Sequence, residues 1–148
     1  MATLYVCDTT AVIEYFDDVF ERGCRLSPKG RAIIAEALCS TPGDVRLSIP
    51  AVVFVEVFDK WCRVEEFSRK FWYEVYQTLK ESPNVEIKPI DQEVVESVLG
   101  IGGNLARHEI HDKIVLACAI TLNCRLITCD REIRRYNMTH RVIPAVVY

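Results

Sequence analysis

Apolar runs of membrane-spanning length are missing from this sequence. None approaches the roughly 20 residues that such a helix needs, which argues against a helical membrane protein. The opening MATLYVCDTT holds no basic region followed by a long apolar stretch. No secretory signal is expected there, and the cytosol is the expected compartment. C-x-x-C pairs are missing too. The seven cysteines stand at 7, 24, 39, 62, 118, 124 and 129, a spacing that supports neither a zinc site nor a thioredoxin-like motif. Their odd count argues against a fully paired secreted scaffold. Cys7, Cys118 and Cys129 sit in apolar patterns, as small buried hydrophobes do. With no linker, internal repeat or low-complexity segment, residues 1–148 read as one domain with a sizeable core.

Charge of one sign is also lacking. The 18 Lys and Arg face 21 Asp and Glu, a net charge of −3. Setting four carboxylates aside as metal ligands puts the basic residues one ahead, so overall charge neither supports nor excludes a polyanionic substrate. What is present is ordinary globular composition, with 50% hydrophobic and 26% charged residues.

Strand and helix patterns alternate along the chain. TLYVC (3–7) is a short run rich in β-formers, and TTAVIEYF after it reads as a helix capped by Asp8 or Thr9. Ser27 and Pro28 suit the start of a helix through SPKGRAIIAEALCS. TPGD (41–44) is a turn and VRLSI (45–49) a strand. AVVFVEVFDKWCRVEEF is β-branched, but its length and the leading Pro50 favour a helix. A helix is expected over 65–81, a strand over 85–90, and a helix after Asp91. GIGG (100–103) is a break. HDKIVLACAITLN is a helix apolar almost all round, hence buried. RLITC is a strand, DREIRRY a short helix or turn, and RVIPAVV a last strand. The alternation predicts an α/β domain with a mainly parallel sheet.

Four acids stand out. Asp8 and Asp130 each follow a predicted strand, where open α/β sheets bind ligands. Asp112 opens the buried helix, and Glu56 interrupts VVFVEVF, a run with no Lys or Arg of its own. Acids are rarely buried unless paired or metal-bound. Singly, Asp8 and Asp112 are as well explained as helix caps, Asp130 as a turn residue, and Glu56 as an exposed position. Gathered at one edge, the four would repel each other unless a cation sat among them, and hard oxygen ligands suit Mg²⁺ or Mn²⁺.

LYVCDTTAVIEYF, IPAVVFVEVF, HEIHDKIVLACAITLNCRLITCDREI and the terminal RVI together resemble a PIN domain of the kind found in VapC-type toxins. The likeness runs from about residue 3 to 143, and the HDxIVxAxA…LITxD block is its most specific part. It implies a three-layer α/β/α fold with a mainly parallel central sheet. It also implies metal-dependent endoribonuclease activity, dimerisation and, for toxins, a tightly binding antitoxin. The family's four acids fall on Asp8, Glu56, Asp112 and Asp130. Many relatives carry Asn or Ser where this chain has Thr10, whose hydroxyl can still bond a carboxylate. Thr128 falls on a small hydroxyl position beside the last acid. The segment 20–44 is longer and more polar than in compact members, which leaves room for a specialised partner surface.

Carboxylates of this kind hold one or two divalent ions, which acidify water and stabilise charge on the phosphodiester. Asp8, Asp112 and Asp130 are the expected metal ligands. Glu56 either binds metal through water or accepts the nucleophile's proton. His108 and His111 are expected in the turn before Asp112, capping or solvated, with Glu109 as an extra acid at the rim. Arg131, Arg134 and Arg135 can contact RNA phosphates or form a solvated face, and Lys113 can steer phosphate or screen the acids. Trp61, Phe67, Phe71, Trp72, Tyr73 and Tyr76 can stack bases, though helical spacing favours packing. Two other classes compete. A phosphatase with an aspartate nucleophile would need a second Asp at position 10, where Thr10 stands. A housekeeping RNA-processing nuclease or a non-catalytic binding module would keep the fold, but the four acids speak against the latter.

Overall fold

A computed structural model describes every residue except Cys24, Gly103, Asn104, Ala106 and Arg107. One of the seven cysteines, and the end of the GIGG break, therefore lie outside the described residues. The six described cysteines are free.

Among the described residues five parallel strands form one sheet in the order β3-β2-β1-β4-β5. They are β1 (Thr3–Cys7), β2 (Val45–Pro50), β3 (Val85–Lys88), β4 (Arg125–Ile127) and β5 (Val146–Val147). Helices flank the sheet in an α/β/α arrangement. Between β1 and β2 lie α1 (Thr9–Tyr15), α2 (Asp17–Phe20) and α3 (Pro28–Ala37). Between β2 and β3 lie α4 (Ala51–Lys60), α5 (Glu65–Phe71), a π-helical turn (Trp72–Tyr76) and α6 (Gln77–Glu81). α7 (Gln92–Leu99) and α8 (Ile110–Leu122) precede β4, and α9 (Arg131–His140) precedes β5.

Local chemistry sets these boundaries. The Ser27 hydroxyl accepts from Gly30 N–H at 3.0 Å, with Pro28 behind it as the first helical residue. Asp91 caps α7 by accepting from Val94 N–H. α8 ends at Asn123, whose φ of 46° lies in the left-handed region that Asn tolerates. Residues Val115 to Ala119 of α8 are buried against β1, β2 and β4. Val6, Leu47, Ile49, Leu126 and Ile127 fill the sheet's share of the core.

Four expectations change. The helical segment 65–81 contains the π turn. α9 runs ten residues rather than stopping as a short turn, held by buried Ile133 and Tyr136. The last strand is only two residues long, because Pro144 has no N–H to donate to a ladder. α8 starts at Ile110 with Glu109 as its cap residue, so Asp112 sits inside the first turn and does not open the helix.

Candidate active site

The strand order reverses between β1 and β4, where open α/β sheets form a ligand crevice. Asp8 leaves the end of β1 and Asp130 lies three residues beyond β4. Asp8 is 2% exposed. Its Oδ1 accepts from Thr10 Oγ1 at 2.8 Å and from Ala11 N–H at 2.9 Å, while Oδ2 accepts from Thr128 Oγ1. Asp8 therefore caps α1 and faces the crevice at once. Burial pushes its carboxyl up to about 7, although Thr128, Ala11 and Thr10 pull it back; the negative charge of Asp112 adds to the rise. The two hydroxyls tie the strands' ends together, since Thr10 accepts from Cys129 N–H and Thr128 from Asp130 N–H, both at 3.0 Å.

Asp130 caps α9 through Oδ1, which accepts from Glu132 and Ile133 N–H. Its Oδ2 lies 3.0 Å from His108 Nε2, and the same nitrogen is 3.2 Å from Asp112 Oδ2. Burial raises Asp112; His111 and His108 oppose the rise, and Asp130 and Glu56 add to it. His111 Nε2 lies 3.1 Å from Glu56 Oε1 and 2.7 Å from Glu109 Oε2. The fold thus gathers the four expected acids. Asp112 joins Asp130 through His108, and Glu56 through His111.

Three expectations need correction. The histidines are neither caps nor solvated: His108 and His111 are largely covered and lie between the carboxylates. Glu56 is not without a cation. Lys60, one helical turn along α4, reaches its Oε1 at 3.1 Å and Glu109 at 3.4 Å. The acids are consequently not an uncompensated cluster. Sequence reading also missed Thr9, whose hydroxyl donates to Glu56 Oε2 at 2.8 Å.

The donor set fits a divalent cation. His108, Asp112 and Asp130 offer ligand atoms within 4.8 Å of one another, as do Glu56, Glu109 and His111. The carboxylate oxygens suit Mg²⁺ or Mn²⁺, and an imidazole nitrogen beside them tilts the preference away from Mg²⁺ toward transition metals; Asp8 belongs to neither group. A buried carboxyl pushed up to about 7 also gains by exchanging its proton for a metal ion.

Around this centre, Arg131 and Arg134 line a cavity of about 510 Å³ with Thr128, Cys129 and Asp130. Arg135 turns to an exposed pair with Glu132. Lys113 follows Asp112 on α8 and is half-buried. Burial and then Asp8 push the Cys129 thiol up to about 11, which disfavours its thiolate. The aromatic residues mostly pack: Phe20 meets Trp61, Phe67 and Phe71 edge to face. Trp72 and Tyr73 stay exposed. A larger cavity of about 670 Å³, lined by Tyr15, Arg31, Lys70 and Glu74 among others, contains none of the four acids.

A family model described as PIN domain matches residues 5–137. A search of curated proteins finds no match. Among solved structures, FitAcB from Neisseria gonorrhoeae is similar at 13% identity and a TM-score of 0.65, covering 97% of this chain and 96% of that one. VapBC2 from Rickettsia felis, bound to a DNA fragment from their promoter, is similar at 13% identity and 0.61, covering 99% and 98%. A toxin-antitoxin complex from Klebsiella pneumoniae is similar at 21% identity and 0.53, covering 99% and 97%. At such identities the likeness speaks for the fold alone. No helix among the described residues is long and apolar enough to cross a membrane.

Proposed function

The chain belongs to the PIN domain family, and we propose that it is a metal-dependent endoribonuclease, the toxin of a toxin–antitoxin pair. The carrying observation is that His108 and His111 draw Asp112, Asp130 and Glu56 together beside buried Asp8, whose carboxyl feels the charge of Asp112, at the carboxyl ends of β1 and β4. Asp8, Asp112 and Asp130 are the residues that would hold Mg²⁺ or Mn²⁺. When bound, the cation supplies Lewis acidity, acidifying water and neutralising charge that develops on the phosphodiester.

The chain's own residues do the rest. Thr10 and Thr128 fix both oxygens of Asp8, so its lone pairs point one way before any ligand arrives. His108 spaces Asp112 from Asp130, and Glu56 orients His111 while Thr9 and Lys60 hold Glu56. Lys113, Arg131 and Arg134 are the basic residues that would meet backbone phosphates of the RNA. The similar structure from Klebsiella pneumoniae is a toxin–antitoxin complex, which supports a small protein inhibitor as partner. Val55, Phe58, Trp72 and Tyr73, exposed apolar residues of α4 and the π turn, support a homodimer. The site of action is the cytoplasm.

The test is to incubate the pure protein with a pool of cellular RNA, with and without Mg²⁺ or Mn²⁺, and map the new ends. Cleavage that needs the metal supports the reading. Intact RNA under every metal condition contradicts it. Growth arrest on expression, relieved by a co-expressed neighbouring small protein, supports the toxin role; normal growth with active enzyme assigns it to housekeeping RNA processing.

A further inference from the structure

One buried charge has no part in the carboxylate site. Glu14, on α1, is 2% exposed, and an acid at that depth is costly unless it is paired. Its Oε1 accepts from Arg25 Nε at 2.8 Å, and its Oε2 accepts from the Arg25 backbone N–H at 3.3 Å. A single carboxylate thus clamps both the main chain and the guanidinium of Arg25. Arg31 steadies the clamp from α3 by donating to the Glu14 carbonyl at 3.0 Å. The Arg25 side chain itself stays 59% exposed.

Arg25 faces the proposed reaction centre. It shares the walls of two cavities with Cys129, Asp130 and Arg131. One, of about 510 Å³, is completed by Thr128, Arg134 and Tyr148. The other, of about 410 Å³, is completed by Thr10 and Glu132. Three guanidiniums therefore collect beside Asp130. They do not serve as its counter-ions: Asp130 bonds to His108 and to the first N–H groups of α9. Arg134 lies over the Tyr148 ring at 4.4 Å, and Arg25 is held by Glu14.

We propose that Arg25, Arg131 and Arg134 form a phosphate subsite for the nucleic-acid strand, with Glu14 as the positioning residue that holds Arg25 in place. The proposal rests on the nuclease reading above. A strand that places one phosphodiester at the carboxylates must lay its neighbours along the rim, and this rim is where the arginines stand. Guanidinium forks match phosphate oxygens, and an arginine fixed beforehand loses less freedom when it binds. That explains why a carboxylate is buried on α1, away from the cation site.

The test is the binding of a fluorescein-labelled single-stranded RNA oligonucleotide in EDTA, followed by anisotropy across a KCl series. Arg25→Gln is expected to weaken binding about tenfold and to flatten the salt slope by roughly 0.7. Arg134→Gln is expected to act in the same direction. It leaves Glu14 paired, so it keeps the test decisive if Arg25→Gln melts early. Glu14→Gln should weaken binding in the wild type but add nothing in the Arg25→Gln background, a non-additivity that a merely structural role would not produce. If folded Arg25→Gln and Arg134→Gln bind RNA with wild-type affinity and slope, the subsite is overturned, whereas the nuclease reading still stands on metal-dependent cleavage. If those variants spare RNA but weaken a co-purifying protein partner, the cavity serves that protein and the proposal is equally overturned. Wild type that neither binds RNA nor cleaves it with Mn²⁺ overturns both.

Discussion

Asp8 and Glu109 stand at two ends of one cluster and are kept in opposite ways. Asp8 is buried, held by two hydroxyls and an N–H, and its carboxyl is pushed up to about 7. Glu109 is exposed and paired to Lys60 and His111; the Lys60 hydrogen bond, ahead of the other charges, holds it below the usual carboxylate range. Both are carboxylates among other carboxylates. Burial, not the number of nearby acids, decides which end calls for a cation. The buried end is the catalytic half on this account, and the rim is ionic support.

The sharpest way to break that contrast is at Asp112, which joins the two halves. Asp112→Asn is expected to cost more than about a hundredfold in Mn²⁺-dependent cleavage, beyond the 10–100-fold typical for residues behind a ligand. Its metal response should fail too. Saturating Mn²⁺, at a hundred times its dissociation constant, stabilises by about 2.7 kcal/mol, or several degrees for a domain this size. Wild type should gain those degrees and Asp112→Asn few of them. An equal gain would mean that Asp112 is not a ligand.

Thr128→Val comes next. It removes the donor to Asp8 Oδ2 and the acceptor for Asp130 N–H while keeping the side chain's shape. Activity or metal affinity should fall about 10- to 100-fold, as read by cleavage rate and by Mn²⁺ titration. Unchanged values would show that the hydroxyl shell does not orient the buried half.

The pH dependence of the metal-free protein separates the halves without substrate. Folded Asp8 titrates at about 7, above its ordinary 3.8, so folding raises its proton affinity. The resulting stability is complete below about pH 4 and is lost as pH rises through about 7, by up to about 1.4 kcal/mol per unit. Asp112, also raised, acts with the same sign. Among the described residues, Cys7, Cys129 and Arg25 also interact electrostatically with Asp8. Urea melts in EDTA at about pH 5 and pH 8 should show wild type losing more stability than Asp8→Asn. Parallel losses would remove Asp8 as the cause.

The smallest effect belongs to the rim. Lys60 is 43% exposed, and pairs of that kind contribute about 0–1 kcal/mol. Lys60→Met should shift stability by no more than that. A larger loss in urea melts would show that the rim carries structural weight and would blur the contrast.

The sheet and most helices were legible because their signals are local. TLYVC, VRLSI and RLITC are short β-forming runs closed by Asp8, Pro50 and Asp130, and Ser27–Pro28 and Asp91 are caps that act within three residues. The acids are legible because each precedes, interrupts or ends an apolar run. The place of the histidines is not legible, because an Asp before an apolar run reads as the helix cap. Glu109 takes the cap position three residues earlier, which brings His108 and His111 round to the acids. Lys60 lies beyond VVFVEVF, but its spacing of four from Glu56 is readable in the sequence. Thr9 with Glu56 depends on two elements meeting, 47 residues apart. Glu14 with Arg25 depends on a loop folding back on α1. Neither leaves a periodic trace in the sequence.

Asp8→Asn tests the central claim most directly. It keeps the buried side chain's size and its acceptor oxygen for the cap of α1, but removes the charge. The measurement is cleavage of a labelled RNA in Mn²⁺ beside wild type, with folding verified by melting in EDTA. The account predicts a protein at least as stable as wild type near neutral pH that leaves the RNA intact. Wild-type cleavage by the folded variant would contradict it.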